Sequence, residues 1–256
     1  MSSRVPSIVL LLPARDEADR IGAVVARVPD TVSGHRVRIL VVDDGSTDDT
    51  ANVAAAAGAR VVRHRTGRGL GAAVRTGLRV ALETAPTPAA IAFCDADGEY
   101  APEELAALVT PVLLGHADYV VGSRFAGRID RMRPHRRLGN LVLTAALRRW
   151  CRTPITDGQS GYRALSPAAA RAAEIPHDYN YAQVLTCDLI ARGFGYDEVP
   201  ISYSFRTSGR SFVRLGRYLA AVVPALARQG RPTTTATPRV SPRRRVARSE
   251  PVPRAS

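Results

Sequence analysis

The sequence predicts an α/β fold with a mostly parallel, doubly wound sheet and helices on both faces. Short apolar runs that end in polar turn residues alternate with amphipathic or Ala-rich helical segments through the first half of the chain. The 256 residues, 45% hydrophobic and 23% charged, are sufficient for one large α/β domain or two small ones. In sheets of this kind, ligands bind at the carboxyl ends of the strands.

The elements follow from the pattern in chain order. Ser46, Thr47 and Asp48 supply cap residues ahead of the second helix, and Pro102 with two glutamates favours the start of the fourth. After residue 122 the alternation fails, and an irregular segment is expected at 156–166. The predicted strands are 7–12, 38–45, 60–62, 89–93, 119–122 and 196–203. The predicted helices are 17–27, 49–57, 71–84, 102–114, 136–150 and 180–192.

The net charge of +13 comes entirely from arginine, because the chain contains no lysine. Basicity suits nucleic acid, anionic membranes or phosphorylated ligands. With 5% aromatic residues and no recognisable binding motif, we expect no nucleic-acid partner. Residues 229–256 hold seven arginines and one glutamate, a net +6, and are poor in large apolar residues. We predict a disordered basic tail that either contacts anionic lipid or is simply solvated.

The cysteines and the apolar runs indicate a cytoplasmic protein. Three cysteines without C-x-x-C spacing argue against a disulfide framework or a structural zinc site, so a reducing compartment is the simpler interpretation. No apolar run approaches the roughly 18 residues that span a bilayer. Arg15, Asp16 and Glu17 are incompatible with a signal-peptide core. We expect a cytoplasmic location, with peripheral contact at the inner face of the membrane as a further expectation.

Acidic loops follow two predicted strands. Asp95 and Asp97 come directly after the apolar run 89–93, and Gly98 lets the backbone turn there. Hard divalent cations take few protein carboxylates and complete their shell with phosphate oxygens and water, so this pattern predicts a metal–diphosphate site. The alternative is a solvated loop with helix-capping acids. Asp43 and Asp44 end an earlier strand similarly; one could hydrogen-bond a ligand base or ribose while the other caps a helix.

Six segments in register resemble the family 2 glycosyltransferases of the GT-A (nucleotide-diphospho-sugar transferase) fold. The similarity runs from about residue 7 to about residue 220, and is greatest to the branch that includes dolichol-phosphate mannose synthase and bacterial polyprenyl-phosphate glycosyltransferases. The segments are PARDEADRIG (13–22), VVDDGSTDDT (41–50), GRGLGAAVRTGL (67–78), DADGEY (95–100), GSRF (122–125) and SGYRALS (160–166).

The resemblance implies roles for individual residues. Asp97, the second acid of the D-x-D, would ligate the Mg²⁺ or Mn²⁺ that bridges the donor diphosphate, and Asp44 or its neighbour Asp43 would read the base. Asp16 departs from the usual Asn, and residues 181–183 lack a glutamate that many relatives carry. The remaining implied donor-side residues are Pro13, Ala14, Arg15 and Glu17 in the nucleotide-binding turn, Arg68 in place of a frequent Lys, Asp95 in the D-x-D, and Glu99 as a further oxygen ligand.

The acceptor sets the chemistry that the second half must supply. A phosphate monoester already carries charge at neutral pH and needs no general base, whereas a hydroxyl acceptor does. Asp157 could orient the sugar, act as that base, or only cap a turn. Residues 212–226 could lie on a membrane or pack on the core. Arginines that could grip phosphates, or else form a basic surface, are Arg124, Arg136, Arg137, Arg206 and Arg210.

We therefore expect a metal-dependent inverting glycosyltransferase that moves a hexose from GDP-mannose or UDP-glucose to a polyprenyl phosphate. The domain would be 1–228, with a nucleotide-sugar half (7–122) and an acceptor half (123–228). One alternative is a family 2 enzyme acting on a hydroxyl of a glycan or glycolipid. A remote alternative is a haloacid dehalogenase-type phosphatase with Asp95 as nucleophile. Sugar nucleotidylyltransferases are excluded because they use an essential lysine.

Overall fold

The computed structural model describes residues 5–84, 86–178 and 181–204. Arg206 and Arg210, the segment 212–226 and the basic tail lie outside these residues, so the expectations for them stay predictions. The same holds for the division of the chain into halves within 1–228.

Strands and helices alternate along the described chain. A short 3₁₀ turn (Pro102–Glu104) precedes the fourth helix. The strands are β1 (Ile8–Ala14), β2 (Thr31–Val32), β3 (His35–Asp43), β4 (Arg60–Arg63), β5 (Ala90–Phe93), β6 (Tyr119–Arg131), β7 (Arg163–Leu165) and β8 (Tyr196–Ser204). The helices are α1 (Ala18–Ala26), α2 (Thr50–Ala56), α3 (Leu70–Leu82), α4 (Leu105–Leu113), α5 (Pro134–Cys151), α6 (Pro167–Ala172) and α7 (Ala182–Ala191).

One sheet organises these elements, in the order β2-β3-β1-β5-β7-β6-β8, with β4 also paired to β3. β1 pairs in parallel with β3 and β5, β3 with β4, and β6 with β8. β7 runs antiparallel between β5 and β6, and β2 antiparallel beside β3. The predicted mostly parallel α/β sheet is confirmed.

The core lies on both faces of the sheet, as a doubly wound fold requires. Along β1, Ile8, Leu10 and Leu12 belong to the apolar layer that contains α1 and α4. Val9 and Leu11 point the other way, into the layer that contains α3 and α7. Because both faces are covered, β1 is a continuous apolar run rather than an alternating one.

The second half differs most from the sequence prediction. β6 continues to Arg131, beyond the predicted end at residue 122, because its later residues pair with β8 although they form no apolar run and several of them are exposed. The segment 156–166, predicted to be irregular, contains β7, which is only three residues long and therefore carries no readable period. The hairpin of β2 with β3 and the short helix α6 were not predicted either.

Candidate active site

The loops that follow β1 and β3 are bound to each other at the carboxyl edge of the sheet. The backbone N–H of Asp16 donates to Ser46 Oγ (3.0 Å), and Asp16 Oδ1 accepts from the N–H of Thr47 (2.8 Å). The N–H of Glu17 donates to Thr50 Oγ1 (2.8 Å). Asp16 has a φ of +53°, a conformation that Asp and Asn tolerate better than most residues. Asp16, which stands where the resembling family usually has Asn, therefore preserves both the backbone conformation and an acceptor oxygen.

The residues of the predicted nucleotide-binding turn lie on two sides of this junction. Pro13 and Ala14 are buried at the end of β1, and Ala14 pairs with Asp43 across the sheet. The guanidinium of Arg15 lies directly over Gly67, where a Cβ would be 2.3 Å from its Nη1. Glu17 is buried and forms an ion pair with Arg20 (3.2 Å) on its own helix.

The two acids after β3 have different surroundings. Asp44 accepts the backbone N–H groups of Arg68 (2.8 Å) and Gly69 (2.7 Å), and His64 Nδ1 lies 2.7 Å from its Oδ1. Its carboxylate therefore holds the glycine-rich loop (residues 67–71) in place. Asp43 Oδ2 forms an ion pair with the exposed Arg63 (3.0 Å), but accepts no well-aligned hydrogen bond from the described residues. Asp43 Oδ1 accepts from the backbone N–H (2.9 Å) and the hydroxyl of Ser46, so among the described residues Oδ2 is the one oxygen of the two acids that accepts no hydrogen bond.

Glycines at the start of α3 allow a second segment to lie against the site. Gly71 donates its N–H to the carbonyl oxygen of Asp178 (2.9 Å), and a Cβ on Gly71 would lie 2.2 Å from the carbonyl oxygen of His177. Gly69 has a φ of +100°, and its Cβ would lie 2.5 Å from the same oxygen of Asp178. Arg75 forms an ion pair with Asp178. Arg68 is exposed at the edge of this loop.

The acidic loop after β5 carries two partly exposed aspartates. The carboxylate of Asp95 lies on Gly161, where a Cβ would be 2.2 Å from Oδ2. Asp97 Oδ1 accepts the N–H of Glu99 (3.1 Å), whereas Glu99 Oε2 accepts from the hydroxyl of Tyr203 (2.6 Å). In the described part of the chain no three acidic, His or Cys side chains gather as a ligand set. Two carboxylates suit a hard cation that also binds phosphate and water, but Glu99 is directed to β8.

Arg124, in β6, and Asp157, in the segment that precedes β7, form a buried ion pair. Arg124 Nε and Nη2 donate to the two carboxylate oxygens at 2.7 and 2.9 Å, and the backbone N–H of Arg124 adds a bond of 3.1 Å. The guanidinium also stacks over Tyr203, 5.1 Å from the ring centroid. Burial alone would lower the pKa of Arg124, but Tyr100 and Asp157 raise it above its ordinary value. The carboxylate of Asp157 is fully buried and directed at Arg124.

Arg163 was not singled out by sequence reasoning, although it lies in the quoted segment SGYR. It is fully buried and donates to the carbonyl oxygens of Ser160 (2.7 Å) and Ala182 (2.8 Å), and to Thr186 Oγ1 (2.9 Å). The hydroxyl of Tyr100 accepts from the N–H of Gly161 (2.8 Å). These two side chains fix the 158–163 segment between β5 and α7.

Helix α5 and the end of β6 present a basic and apolar surface. Arg137 lies with Arg131 and Arg133 along a cavity of about 470 Å³, and Arg136 is its half-buried neighbour. On the same helix Leu138, Leu141 and Val142 are 64%, 45% and 59% exposed. Among residues 5–204, leaving aside 85 and 179–180, no helix is long and apolar enough to cross a bilayer.

The comparisons with known proteins agree on one family. The model for "Glycosyl transferase family 2" matches residues 9–172. The polyprenol monophosphomannose synthase of Mycolicibacterium smegmatis is 35% identical over 218 residues, which cover 79% of each chain. An uncharacterized protein of Methanocaldococcus jannaschii is 36% identical over 166 residues, which cover 64% of this chain and 66% of that protein. The chain thus spans slightly less than two thirds of that second relative.

Solved structures show the same fold. Glucosyl-3-phosphoglycerate synthase from Mycobacterium tuberculosis, in complex with phosphoglyceric acid, has a TM-score of 0.68 and 25% identity, covering 88% of this chain and 80% of that one. The same synthase in complex with Mn²⁺, UDP-glucose and glycerol 3-phosphate has a TM-score of 0.67 and 24% identity, again covering 88% and 80%.

Proposed function

The chain belongs to glycosyl transferase family 2 and has its GT-A fold, and from that premise we propose that it transfers a hexose from a nucleotide-diphospho-sugar to a polyprenyl phosphate. One observation carries the choice of acceptor. Asp157, the acid that could serve a hydroxyl acceptor as general base, is buried and bound at both oxygens by Arg124. A phosphate acceptor needs no such base. The mycolicibacterial synthase, similar over 79% of the chain, supports the same choice.

The donor would bind at the carboxyl edge between β1, β3 and β5. Asp43 would read the base, while Asp44 keeps the glycine-rich loop against it. Arg15 and Arg68, both exposed at this edge, would face the diphosphate. Whether the base is guanine or uracil depends on contacts that no motif fixes, so GDP-mannose and UDP-glucose are equal candidates.

Asp97, together with Asp95 two residues earlier in the chain, would hold Mg²⁺ or Mn²⁺. Their partly exposed carboxylates fit a cation that shares its shell with donor phosphates. When bound, such an ion neutralises negative charge on the departing nucleoside diphosphate. Glu99 is left out of the proposed ligand set because its carboxylate accepts from Tyr203.

The acceptor would be held by the basic and apolar surface of β6 and α5. Arg131, Arg133 and Arg137 line an open surface depression of about 470 Å³, together with Asp130, and the excess positive charge would offset repulsion between acceptor and donor phosphates. The exposed Leu138 and Val142 would contact the prenyl chain or the membrane that contains it.

Positioning rather than proton transfer would accelerate the reaction. An acceptor phosphate oxygen, held in line, attacks the anomeric carbon from the face opposite the donor diphosphate. The new bond joins that carbon to the acceptor oxygen, the bond to the diphosphate breaks, and the configuration inverts. The buried Arg124–Asp157 pair would act as a positioning pair. It would fix β6 against the 157–163 segment, and these two segments would form one wall of the proposed acceptor site.

A hydroxyl acceptor is the second candidate, favoured by the fold's likeness to glucosyl-3-phosphoglycerate synthase. The test is a panel of acceptors at equal concentration, namely a short polyprenyl phosphate, the matching polyprenol and 3-phosphoglycerate, with each nucleotide sugar in turn. We expect product from the polyprenyl phosphate only. Turnover of 3-phosphoglycerate or polyprenol with no turnover of the polyprenyl phosphate would replace the proposal with the hydroxyl alternative.

A further inference from the structure

Two buried cysteines, far apart in the sequence, meet between α5 and α7. Cys151 Sγ lies 2.7 Å from Cys187 Sγ, and both residues are buried free cysteines. Unbonded carbon atoms meet at about 3.5–4.0 Å, and bonded disulfide sulfurs at about 2.05 Å. The packing of the two helices therefore brings the thiols closer than ordinary contact, and little movement separates them from a covalent bond.

From this juxtaposition we propose that Cys151 and Cys187 are a redox modification site, which forms a reversible intramolecular disulfide between the end of α5 and the middle of α7. The third cysteine, Cys94, belongs to the core layer on the opposite face of the sheet. Its thiol donates to the carbonyl oxygen of Asp95 (3.5 Å) rather than to a second sulfur. Cys94 is thus an internal comparison with similar burial and no nearby thiol among the described residues.

Cys151 is the thiol that an oxidant reaches first. It is the last residue of α5, and Arg152 ends the helix in a left-handed conformation with φ +51°. Helix ends open more readily than helix interiors. Cys187, by contrast, lies inside α7, all of whose residues from 182 to 190 are buried. The hydrogen bond with Cys151 and burial raise the pKa of Cys187, which keeps it a thiol until its partner has reacted.

The chemistry is thiol–disulfide exchange with a small-molecule disulfide. The thiolate of Cys151 attacks one sulfur of the reagent, whose other sulfur leaves as a thiolate, giving a mixed disulfide. Cys187 then loses its proton and attacks the Cys151 sulfur, which forms the internal bond and releases the second reagent thiol. Two electrons and two protons pass from the protein to the reagent, which is reduced to two thiols.

The bond would close a loop of 36 residues along the chain, from α5 through β7 and α6 to α7. This loop contains Asp157 and Arg163. Closing it restricts the unfolded chain, so the oxidised protein should melt roughly 5–10 °C higher than the reduced one.

The test is to equilibrate the full-length native protein in glutathione buffers of graded oxidised-to-reduced ratio, quench with acid, alkylate free thiols and map the peptides by mass. We expect one Cys151–Cys187 disulfide, alkylated Cys94, full reversal by dithiothreitol, and the higher melting temperature in the oxidised form. The Cys94→Ser variant should behave in the same way. Cys151→Ser and Cys187→Ser should each lose the bond and melt equally under oxidising and reducing conditions.

Three alkylated thiols at every ratio in the wild-type protein would overturn the proposal. So would a glutathione adduct without internal closure, or a bond that involves Cys94. These outcomes are scored on the wild-type chain, so a variant that fails to fold does not affect them.

Discussion

The Arg124–Asp157 pair illustrates how burial changes the interpretation of a single residue. An aspartate in the segment TDGQSGYR could be a base, a sugar ligand or a turn cap, and the sequence gives no means to choose. The structure directs both of its oxygens at one guanidinium inside the protein. A carboxylate bound in this way contributes shape and charge balance, and proton abstraction would require the pair to break first.

Replacing Asp157 tests this interpretation. Asp157→Asn leaves the buried Arg124 without a countercharge, so the free energy of unfolding should fall by roughly 3–5 kcal/mol in urea denaturation. The rate of transfer by the folded variant should fall by much less than the roughly 10²–10⁴-fold that general base catalysis supplies. Asp130→Asn breaks the exposed pair with Arg128 and is the control for stability. Its free energy of unfolding should change by less than about 1 kcal/mol. A stable Asp157→Asn variant whose transfer rate is about 10⁴-fold lower would instead identify Asp157 as a general base.

The sequence predicted which loops follow the strands but not the direction of each side chain. Asp95 and Asp97 follow β5 and Asp16 follows β1, as their positions in the sequence predict. Arg163 was missed because a fully buried arginine looks the same in the sequence as an exposed one. Its partners are mostly carbonyl oxygens and hydroxyls, which leave no charge pattern to read.

At the scale of elements, the start of α3 depends on glycine at two positions. Gly71→Ala would place a Cβ 2.2 Å from the carbonyl oxygen of His177, so the 177–178 segment must move away. We expect the free energy of unfolding to fall by roughly 1–3 kcal/mol, as at other overpacked sites, and thermal unfolding measures this loss. Gly139→Ala in α5 is the control: its Cβ meets nothing within 4 Å, and alanine should stabilise the helix by up to about 1 kcal/mol. Equal melting temperatures for both variants would contradict the proposed packing.

Helix α2 is tied to α1 through Asp48. Asp48 Oδ1 accepts the N–H of Thr50 (3.0 Å), and Oδ2 accepts the N–H of Ala18 (3.1 Å). Burial acts to raise the pKa of Asp48, but these hydrogen bonds lower it below its usual 3.8. A lowered folded-state pKa stabilises the protein above the unfolded-state value, and this stability is lost as the pH falls through the folded-state value.

The difference in unfolding free energy between wild type and Asp48→Asn should therefore be constant above about pH 5 and shrink as the pH falls below 3.8. Urea denaturation at a series of pH values measures it. A difference that grows on acidification would show that folding raises the pKa of Asp48 rather than lowering it.

The elements that the sequence predicted have a readable apolar pattern, and the missed ones lack it. β1 and β5 are continuous apolar runs, β3 contains one at 39–42, and α3 and α4 have clear apolar faces. β7 is short, and the later part of β6 is polar, so only their pairing partners make them strands. The contact between Cys151 and Cys187 was missed for a similar reason, since nothing in the sequence aligns α5 with α7.

For the whole molecule, the basic tail tests how catalysis and membrane contact are divided. Residues 229–256 carry +6, and each arginine near an anionic bilayer contributes about 1 kcal/mol. Truncation after Gly230 should leave transfer to a short, water-soluble prenyl phosphate near normal and reduce sedimentation with anionic liposomes, most clearly at low salt. Unchanged liposome binding would shift the membrane contact to residues 212–226 or to α5. Loss of activity on the soluble acceptor would contradict the assignment of catalysis to earlier residues.

The most direct test of the central claim measures transfer of labelled hexose from GDP-mannose or UDP-glucose to a polyprenyl phosphate with Mg²⁺ or Mn²⁺. Wild-type protein should yield organic-phase label that survives mild base and is released by mild acid. Asp97→Asn should lose at least about 10²–10³-fold of the rate, while Asp49→Asn, at an exposed acid beside α2, should keep it. Absence of acid-labile lipid label with both donors, or equal transfer by Asp97→Asn in the presence of chelator, would contradict a metal-dependent polyprenyl-phosphate glycosyltransferase.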